Sequence, residues 1–315
     1  MRITEKPGNG QARGRRTGTD LRGILDERAL PDPELSAQWE AIVVPQTTKD
    51  RLLAQAILSF TVRSKLDRAR CPLHGVLLLV GPPGTGKTSL ARGLASRTAE
   101  SVKGVGQFRY VEVEPHELAS AALGHSQRAV CDLLGGTIAE FAEIGPLIVV
   151  MDEVETLAAD RAQLSLEANP FDVHRATDAL LAQLDHLAGS FPNLLFVATS
   201  NFPKAIDRAF LSRVDLIETI CVPDKAACNA ILTDTIRQFA EHFPSMAGIL
   251  KDGALQTAVD ACEGLDGRMI RKVVMAACAR SKETALDPNR LTAQDIVDAA
   301  RQMKQESDAA KGGPK

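Results

Sequence analysis

Residues 75–88 read Gly-Val-Leu-Leu-Leu-Val-Gly-Pro-Pro-Gly-Thr-Gly-Lys-Thr. Their first part is a short continuous apolar run, which is typical of a strand buried on both faces of a parallel sheet. A helical pattern over Ser89 to Ala99 follows it. The eight residues between the two elements fit G-x-x-x-x-G-K-[ST], and this motif requires a strand before it and a helix after it. We therefore predict a phosphate-binding loop.

The residue types of this loop suit a nucleoside triphosphate. Glycines let successive backbone N–H groups turn toward phosphate oxygens, and the N-terminus of the next helix adds partial positive charge. Lys87 is predicted to reach the β- and γ-phosphates, and the hydroxyl of Thr88 to bind Mg²⁺. The candidate nucleotide-binding residues of the loop are Gly81, Pro82, Pro83, Gly84, Thr85, Gly86, Lys87, Thr88 and Ser89.

Two other apolar runs end in polar side chains. Leu147 to Met151 is followed by Asp152 and Glu153, and Leu194 to Ala198 leads through Thr-Ser to Asn201. Taken alone, two acids at a strand end indicate a solvated helix cap, and an Asn there indicates a turn. Beside a phosphate loop, we predict that Asp152 holds Mg²⁺ through water, that Glu153 polarises the attacking water and that Asn201 orients this water.

Strands and helices alternate through the first two thirds of the chain, which predicts an α/β fold with a parallel sheet covered by helices on both faces. After Pro223 only helical patterns remain, so a smaller all-helical domain follows. Five runs resemble buried strands: Gly75 to Val80, Phe108 to Val113, Leu147 to Met151, Leu194 to Ala198 and Leu216 to Val222.

These patterns divide the chain into four segments. Residues 1 to about 23 carry six basic side chains and five glycines with few apolar residues, which favours a flexible tail over an amphipathic mitochondrial presequence. We predict a flexible N-terminal segment over 1–38, a large α/β nucleotide-binding domain over 39–222, a helical lid over 223–303 and a disordered tail over 304–315.

Composition narrows the function classes. Of the 315 residues, 44% are hydrophobic and 24% charged, and the net charge of −3 offers no basic excess for bulk nucleic-acid binding. Ten Phe, one Trp and one Tyr leave few aromatics for stacking on bases. The six cysteines show no paired spacing. No apolar run approaches the roughly 20 residues that span a bilayer, and the N-terminus shows no signal sequence, so we expect a soluble cytoplasmic protein.

With these motifs in view, the chain from Trp39 to about residue 303 resembles the AAA+ ATPases. The resemblance implies a homohexameric ring with nucleotide bound between neighbours, and the Asn201 strand inserted between the phosphate-loop and Asp152 strands. In Ile206 to Asp215, which looks like the arginine-finger segment, Arg213 has the position of the finger that completes the next subunit's site. In Gly264 to Lys272, which resembles the second sensor motif, Arg268 would touch the γ-phosphate; alternatively, its helix simply begins there.

A narrower resemblance, to the pachytene-checkpoint ATPases that remodel HORMA-domain proteins, is carried by Met-Asp-Glu-Val-Glu-Thr-Leu at 151–157 and Ile-Asp-Arg-Ala-Phe-Leu-Ser-Arg-Val-Asp at 206–215. Only about 38 residues precede Trp39, which is similar to short bacterial members that accompany HORMA proteins and a cyclic-oligonucleotide synthase in anti-phage operons. The axial loop of the family carries an aromatic residue. The matching stretch, 120–126, offers Leu123 as its one large apolar side chain, and Leu123 is the predicted substrate grip.

The sequence thus favours a Mg²⁺-dependent ATPase whose hydrolysis drives disassembly of a HORMA-domain complex. The predicted partners are further copies of the chain and a HORMA protein, with or without its synthase, and neither a membrane nor nucleic acid. A general unfoldase that feeds a protease is the alternative. The resemblance to the family also implies a second axial loop at residues 164–174. A nucleotide-switched DNA-binding initiator would need a basic or helix-turn-helix module after the lid, and the sequence shows none.

Overall fold

The computed structural model describes residues 23–119, 126–160 and 170–311. Its described part contains a six-stranded sheet in the order β1-β3-β4-β5-β2-β6. Strands β2 to β6 run parallel, and the β5 strand that leads to Asn201 lies between β4 and β2, as the family resemblance implied. The strands are β1 Ile24–Leu30, β2 Val76–Val80, β3 Phe108–Val113, β4 Leu147–Met151, β5 Leu194–Ser200 and β6 Leu216–Thr219.

Strand β1 corrects the prediction that residues 1–38 are flexible and that the sheet has five strands. Residues 24–30 pair antiparallel with β3 at the sheet edge, and a helix that buries Leu35 and Trp39 follows them. The stretch Ile-Leu-Asp-Glu-Arg-Ala-Leu contains three charged residues and therefore shows little apolar signal. Such a strand forms because the edge position leaves Glu27 exposed and Arg28 pairs with Asp26 at 2.6 Å, while β3 supplies the backbone hydrogen bonds.

Helices cover both faces of the sheet. Because side chains alternate along a strand, Val76, Leu78 and Val80 face one core and Leu77 and Leu79 the other. The helices before the lid are α1 Pro33–Ala41, α2 Gln46–Thr61, α3 Lys87–Ser101, α4 Pro115–Ala119, α5 Ser126–Cys131, α6 Ala139–Ile144, α7 Pro170–Ser190 and α8 Arg208–Leu211, with a π-helical stretch Asp132–Ile138 joining α5 to α6. The first three pack on one face, whereas α5 to α8 pack on the other.

The lid is a separate helical layer with its own core, which includes Leu232, Ile270 and Val274. Its N-terminal helix is capped by Asp224, whose carboxylate accepts the N–H of Ala227 at 2.8 Å. The lid helices are α9 Lys225–Ala240, α10 Ala254–Ala261, α11 Gly267–Cys278, α12 Lys282–Leu286 and α13 Ala293–Lys311. None of the helices in the described ranges is long and apolar enough to cross a bilayer.

Helix α13 also corrects the predicted tail, because it continues through residues 304–311. The final turns are polar and show no apolar periodicity. They are supported by side-chain pairs one turn apart: Gln302 with Glu306 at 3.0 Å, and Lys304 with Asp308 at 3.3 Å. Residues 312–315 lie outside the described part.

Candidate nucleotide-hydrolysis site

The predicted phosphate loop connects β2 to α3. Gly84 and Gly86 both have left-handed backbone conformations, with φ of 79° and 91°. A Cβ at Gly84 would lie 2.3 Å from the carboxylate carbon of Asp266, and one at Gly86 would lie 2.6 Å from Ile42. Both conformation and space therefore require glycine at these two positions. This is the open backbone cradle that a triphosphate needs.

The remaining loop residues hold the turn. Pro82 and Pro83 are exposed, Gly81 is buried and Ser89 is half-buried in the first turn of α3. The hydroxyl of Thr85 is directed back into the loop and donates to the Pro82 carbonyl at 2.9 Å.

Lys87 is buried under the loop, with 5% of its surface exposed. Its ammonium donates to the carbonyls of Gly81 and Pro82, both at 2.8 Å, and to Asn201 Oδ1 at 2.7 Å. Burial lowers the pKa of Lys87 below its usual value, and nearby carboxylates, Asp152 first, oppose that shift. The structure thus places a desolvated cation at the floor of the loop.

Thr88 and Asp152 form the candidate magnesium site. The Thr88 hydroxyl lies 2.9 Å from Asp152 Oδ1, which also accepts a short hydrogen bond from Thr199. Thr199 and Ser200 are buried residues of β5, so this strand extends two residues beyond the predicted end at Ala198. A hydroxyl beside a carboxylate is an all-oxygen donor set that suits Mg²⁺ held partly through water.

Glu153 has a left-handed backbone, with φ of 53°. Its Oε1 accepts from Asn201 Nδ2 at 2.9 Å, and its Oε2 lies 3.0 Å from His116 Nε2. A non-glycine residue in this conformation marks a constrained position. Asn201 and His116 together hold the carboxylate of this residue.

Asn201 bridges the site. It accepts from Lys87 and donates to Glu153, while its backbone N–H donates to Glu155 Oε1 at 3.0 Å. The other oxygen of Glu155 is buried and has no hydrogen-bond partner in the structure. Asn201 therefore orients the Glu153 carboxylate directly, a role that the sequence, which suggested contact with water, did not reveal.

The lid reaches the phosphate loop through the start of α11. Asp266 caps this helix by accepting from Met269 N–H at 2.8 Å, and the N–H of Arg268 donates to the Gly84 carbonyl at 3.3 Å. The Arg268 side chain is exposed beside the loop. Both interpretations of this motif, helix cap and sensor, are compatible with the geometry.

A cavity of about 490 Å³ extends between the large domain and the lid. It adjoins the phosphate loop, because Ile220, which limits space at Gly81, lines the cavity, and Ile42, which limits space at Gly86, directly precedes the lining residue Val43. Its shape and mostly apolar lining suit a nucleobase. Sequence reasoning missed this feature, and the lining residues are Val43, Val44, Pro45, Thr48, Thr219, Ile220, Cys221, Val222, Pro223, Asp224, Ala226 and Ala227.

Arg213 lies away from the loop of its own subunit. It follows α8 and precedes β6, at the sheet end where β2 begins, since the N–H of Asp215 donates to the Val76 carbonyl at 2.8 Å. Its guanidinium makes a two-pronged contact with Asp185, with Nε at 2.9 Å and Nη2 at 2.6 Å. The structure therefore does not bring Arg213 together with Lys87 and Glu153. The predicted grip Leu123 lies outside the described residues.

His116, which the sequence gave no reason to select, leads to a prediction. Because it contacts Glu153 Oε2, it restrains the carboxylate that is predicted to polarise the attacking water. A typical hydrogen bond contributes about 0.5–1.5 kcal/mol, so His116→Ala is expected to raise basal ATP turnover about 2- to 10-fold. Steady-state phosphate release measures this, with the exposed lid variant His242→Ala as control. A fall in turnover would mean that His116 orients Glu153 productively.

Comparison with known proteins agrees with this geometry. The family model described as ATPase family associated with various cellular activities (AAA) matches residues 77–222. CD-NTase-associated protein 6 of Pseudomonas aeruginosa is 55% identical over 284 residues, which cover 90% of this chain and 93% of that protein. A pachytene checkpoint protein 2 homolog of Oryza sativa subsp. indica is 32% identical over 82% of this chain, which spans 62% of the rice protein.

Solved structures share the fold. C. elegans PCH-2 matches 91% of the chain and 77% of its own length with a TM-score of 0.72 and 23% identity. A chain in the structure of the E. coli MS115-1 HORMA:CdnC:Trip13 complex matches 90% of this chain and 97% of its own length, with a TM-score of 0.71 and 17% identity. The phosphate loop, the Asp152–Glu153 strand end and the lid agree with these relatives. The chain belongs to the AAA family of ATPases, as a relative of CD-NTase-associated protein 6 and of the pachytene checkpoint protein 2 homologs.

Proposed function

We propose that this ATPase binds ATP with Mg²⁺ in the loop between β2 and α3 and uses its hydrolysis to remodel HORMA-domain protein complexes in anti-phage signalling. The glycine cradle, the buried ammonium of Lys87 and the adjoining cavity fit a purine triphosphate. Thr88 and Asp152 supply oxygen donors for the metal. When bound, Mg²⁺ neutralises charge on the phosphate oxygens.

Within the site, each side chain has one task. Lys87 neutralises phosphate charge from the floor of the loop, and the backbone N–H groups of the loop orient the phosphates. Glu153 accepts the proton of the attacking water, because its carboxylate is held at the mouth of the site by Asn201. Arg268 approaches from the lid and links the position of the lid to the bound phosphates.

We propose a homohexameric ring in which Arg213 acts on the neighbouring subunit. The parallel register of β2 and β6 supports action in trans, since Arg213 precedes β6 whereas the phosphate loop follows β2. Five residues of strand separate the two ends by about 16 Å, which is farther than one arginine side chain reaches. A neighbour's site is then the one that Arg213 can serve.

The observation that best supports the proposed partner is the 55% identity to CD-NTase-associated protein 6. A HORMA protein and CdnC accompany Trip13 in the solved E. coli complex that shares this fold. We propose the same class of partner here, a HORMA protein alone or bound to its cyclic-oligonucleotide synthase, with no membrane and no nucleic acid involved. The cytoplasm supplies the ATP and the reducing conditions that suit its six free cysteines.

Reconstitution tests this function and the predicted grip together. The wild type is expected to separate a purified HORMA–synthase complex when ATP is present, as followed by gel filtration. Leu123→Asp should abolish separation while basal ATP turnover, ring size and melting temperature stay unchanged, because a charged tip no longer holds an extended apolar peptide. A fall in melting temperature would indicate a packing residue instead.

Two other results would change the proposal. Unchanged separation by Leu123→Asp would move the grip to residues 164–174, of which 170–174 begin α7. Degradation of an unrelated tagged substrate in the presence of a separate protease, without activity on the HORMA complex, would favour a general unfoldase.

A further inference from the structure

Contacts within its own subunit hold the Arg213 side chain. Its Nε and Nη2 donate to the two carboxylate oxygens of Asp185, and its Nη1 donates to the Ala209 carbonyl at 2.6 Å. The side chain is 20% exposed. A guanidinium has five N–H donors, so these contacts use three and leave one on each terminal nitrogen.

The carboxylate that holds Arg213 is itself fixed. His74 Nε2 lies 3.3 Å from Asp185 Oδ1, and Arg68 Nη1 donates to the Asp185 backbone carbonyl at 3.0 Å. Hydrogen bonds from Arg213 hold the pKa of Asp185 below its usual value, so the carboxylate stays charged at neutral pH. Asp185 lies on α7, and this helix packs into the core on one face of the sheet, so the position of the Asp185 carboxylate is fixed.

From this arrangement we propose that Asp185 is the positioning residue of the Arg213 finger. This proposal rests on the proposed action of Arg213 on the neighbouring subunit. Paired donors on the far edge of a planar guanidinium match two oxygens of a phosphoryl group. Because Asp185 holds Nε and Nη2 of Arg213, the opposite edge of the guanidinium is left to contact the neighbouring site. Arg213 then has its working orientation before it reaches the phosphates. An arginine without these contacts would lose rotamer entropy each time it adopted this orientation.

Asp185→Asn tests the positioning. An amide presents one acceptor in place of two and directs an NH₂ group at the guanidinium, so the two-pronged contact is lost. Because a misplaced group of this kind costs up to about 10²-fold, we expect kcat for ATP to fall about 10- to 100-fold while KM changes little. The matched control is Asp260→Asn, which removes the exposed Lys225–Asp260 pair of the lid and should leave kcat unchanged.

Mixed rings separate positioning from structural support. Asp185→Asn subunits keep their own Glu153, so in rings with Glu153→Gln subunits they receive an intact finger and activity should return at those interfaces. Rings of Asp185→Asn with Arg213→Ala contain no correctly positioned finger and should not exceed the activity of Asp185→Asn alone. A structural defect in α7 would impair the mutant subunit's own site and would not follow this pattern.

Three outcomes would overturn the proposal: a kcat equal to the wild type, mixed rings that recover nothing, or Asp185→Asn subunits that cannot enter rings. The failure of the underlying function has a different signature. If Arg213→Ala itself gains nothing from Glu153→Gln subunits in mixed rings, the finger assignment is wrong. If Arg213→Ala recovers activity and Asp185→Asn does not, only the role of Asp185 is lost.

Discussion

Glu153→Gln is expected to lower ATP turnover by about 10²- to 10⁴-fold, the range that a positioned general base contributes. The substitution keeps the shape of the side chain and an oxygen for the 2.9 Å contact with Asn201 Nδ2. It removes the negative charge and the basic oxygen that would accept a proton from water. Turnover should therefore fall without a collapse of the site.

Nucleotide binding should survive this change. Lys87, Thr88 and Asp152 are the residues proposed to hold the phosphates and the metal, and their contacts with the loop carbonyls and with each other do not involve Glu153. Equilibrium binding of a fluorescent ATP analogue and single-turnover hydrolysis measure the two properties separately. Glu140→Gln, which changes an exposed acid of α6, is the matched control and should behave as the wild type. Turnover of Glu153→Gln within threefold of the wild type would remove Glu153 from catalysis.

Arg213→Ala is expected to lower kcat by about 10³-fold or more, as loss of an arginine finger does in related chemistry. Its own phosphate loop stays intact, because the strand register places the two at opposite ends of the sheet. Arg213→Ala rings and Glu153→Gln rings should each be nearly inactive. In equimolar rings with Glu153→Gln, about one quarter of the interfaces join an intact Glu153 to an intact finger, so partial activity should return.

Arg208→Ala is the matched control, since this exposed arginine begins α8, the short helix that precedes Arg213. It should retain wild-type turnover if Arg213 is the single finger. Ring mixing is verified by pull-down of differently tagged subunits. Mixed rings without any recovery would contradict action in trans.

Local patterns in the sequence were enough to predict the phosphate loop and the two strand ends. Lys87 and Thr88 follow an apolar strand after the glycine-rich turn 81–86, and Asp152 and Glu153 directly follow another strand, so residues close in sequence carry these signals. The parallel α/β fold and the helical lid were predicted correctly from periodicity alone. Strand β1 was not, because its charged residues show little apolar signal and its stability comes from pairing with β3.

Tertiary structure decided which distant side chains meet. His116 reaches Glu153 from 37 positions earlier in the sequence, and Asp185 holds Arg213 across 28 positions. Neither pair has a sequence signature, since each member is an ordinary polar residue until the sheet order sets its neighbours. A motif records what adjacent residues can do, whereas strand order and register determine which parts of the chain share one site, and these depend on packing over the whole fold.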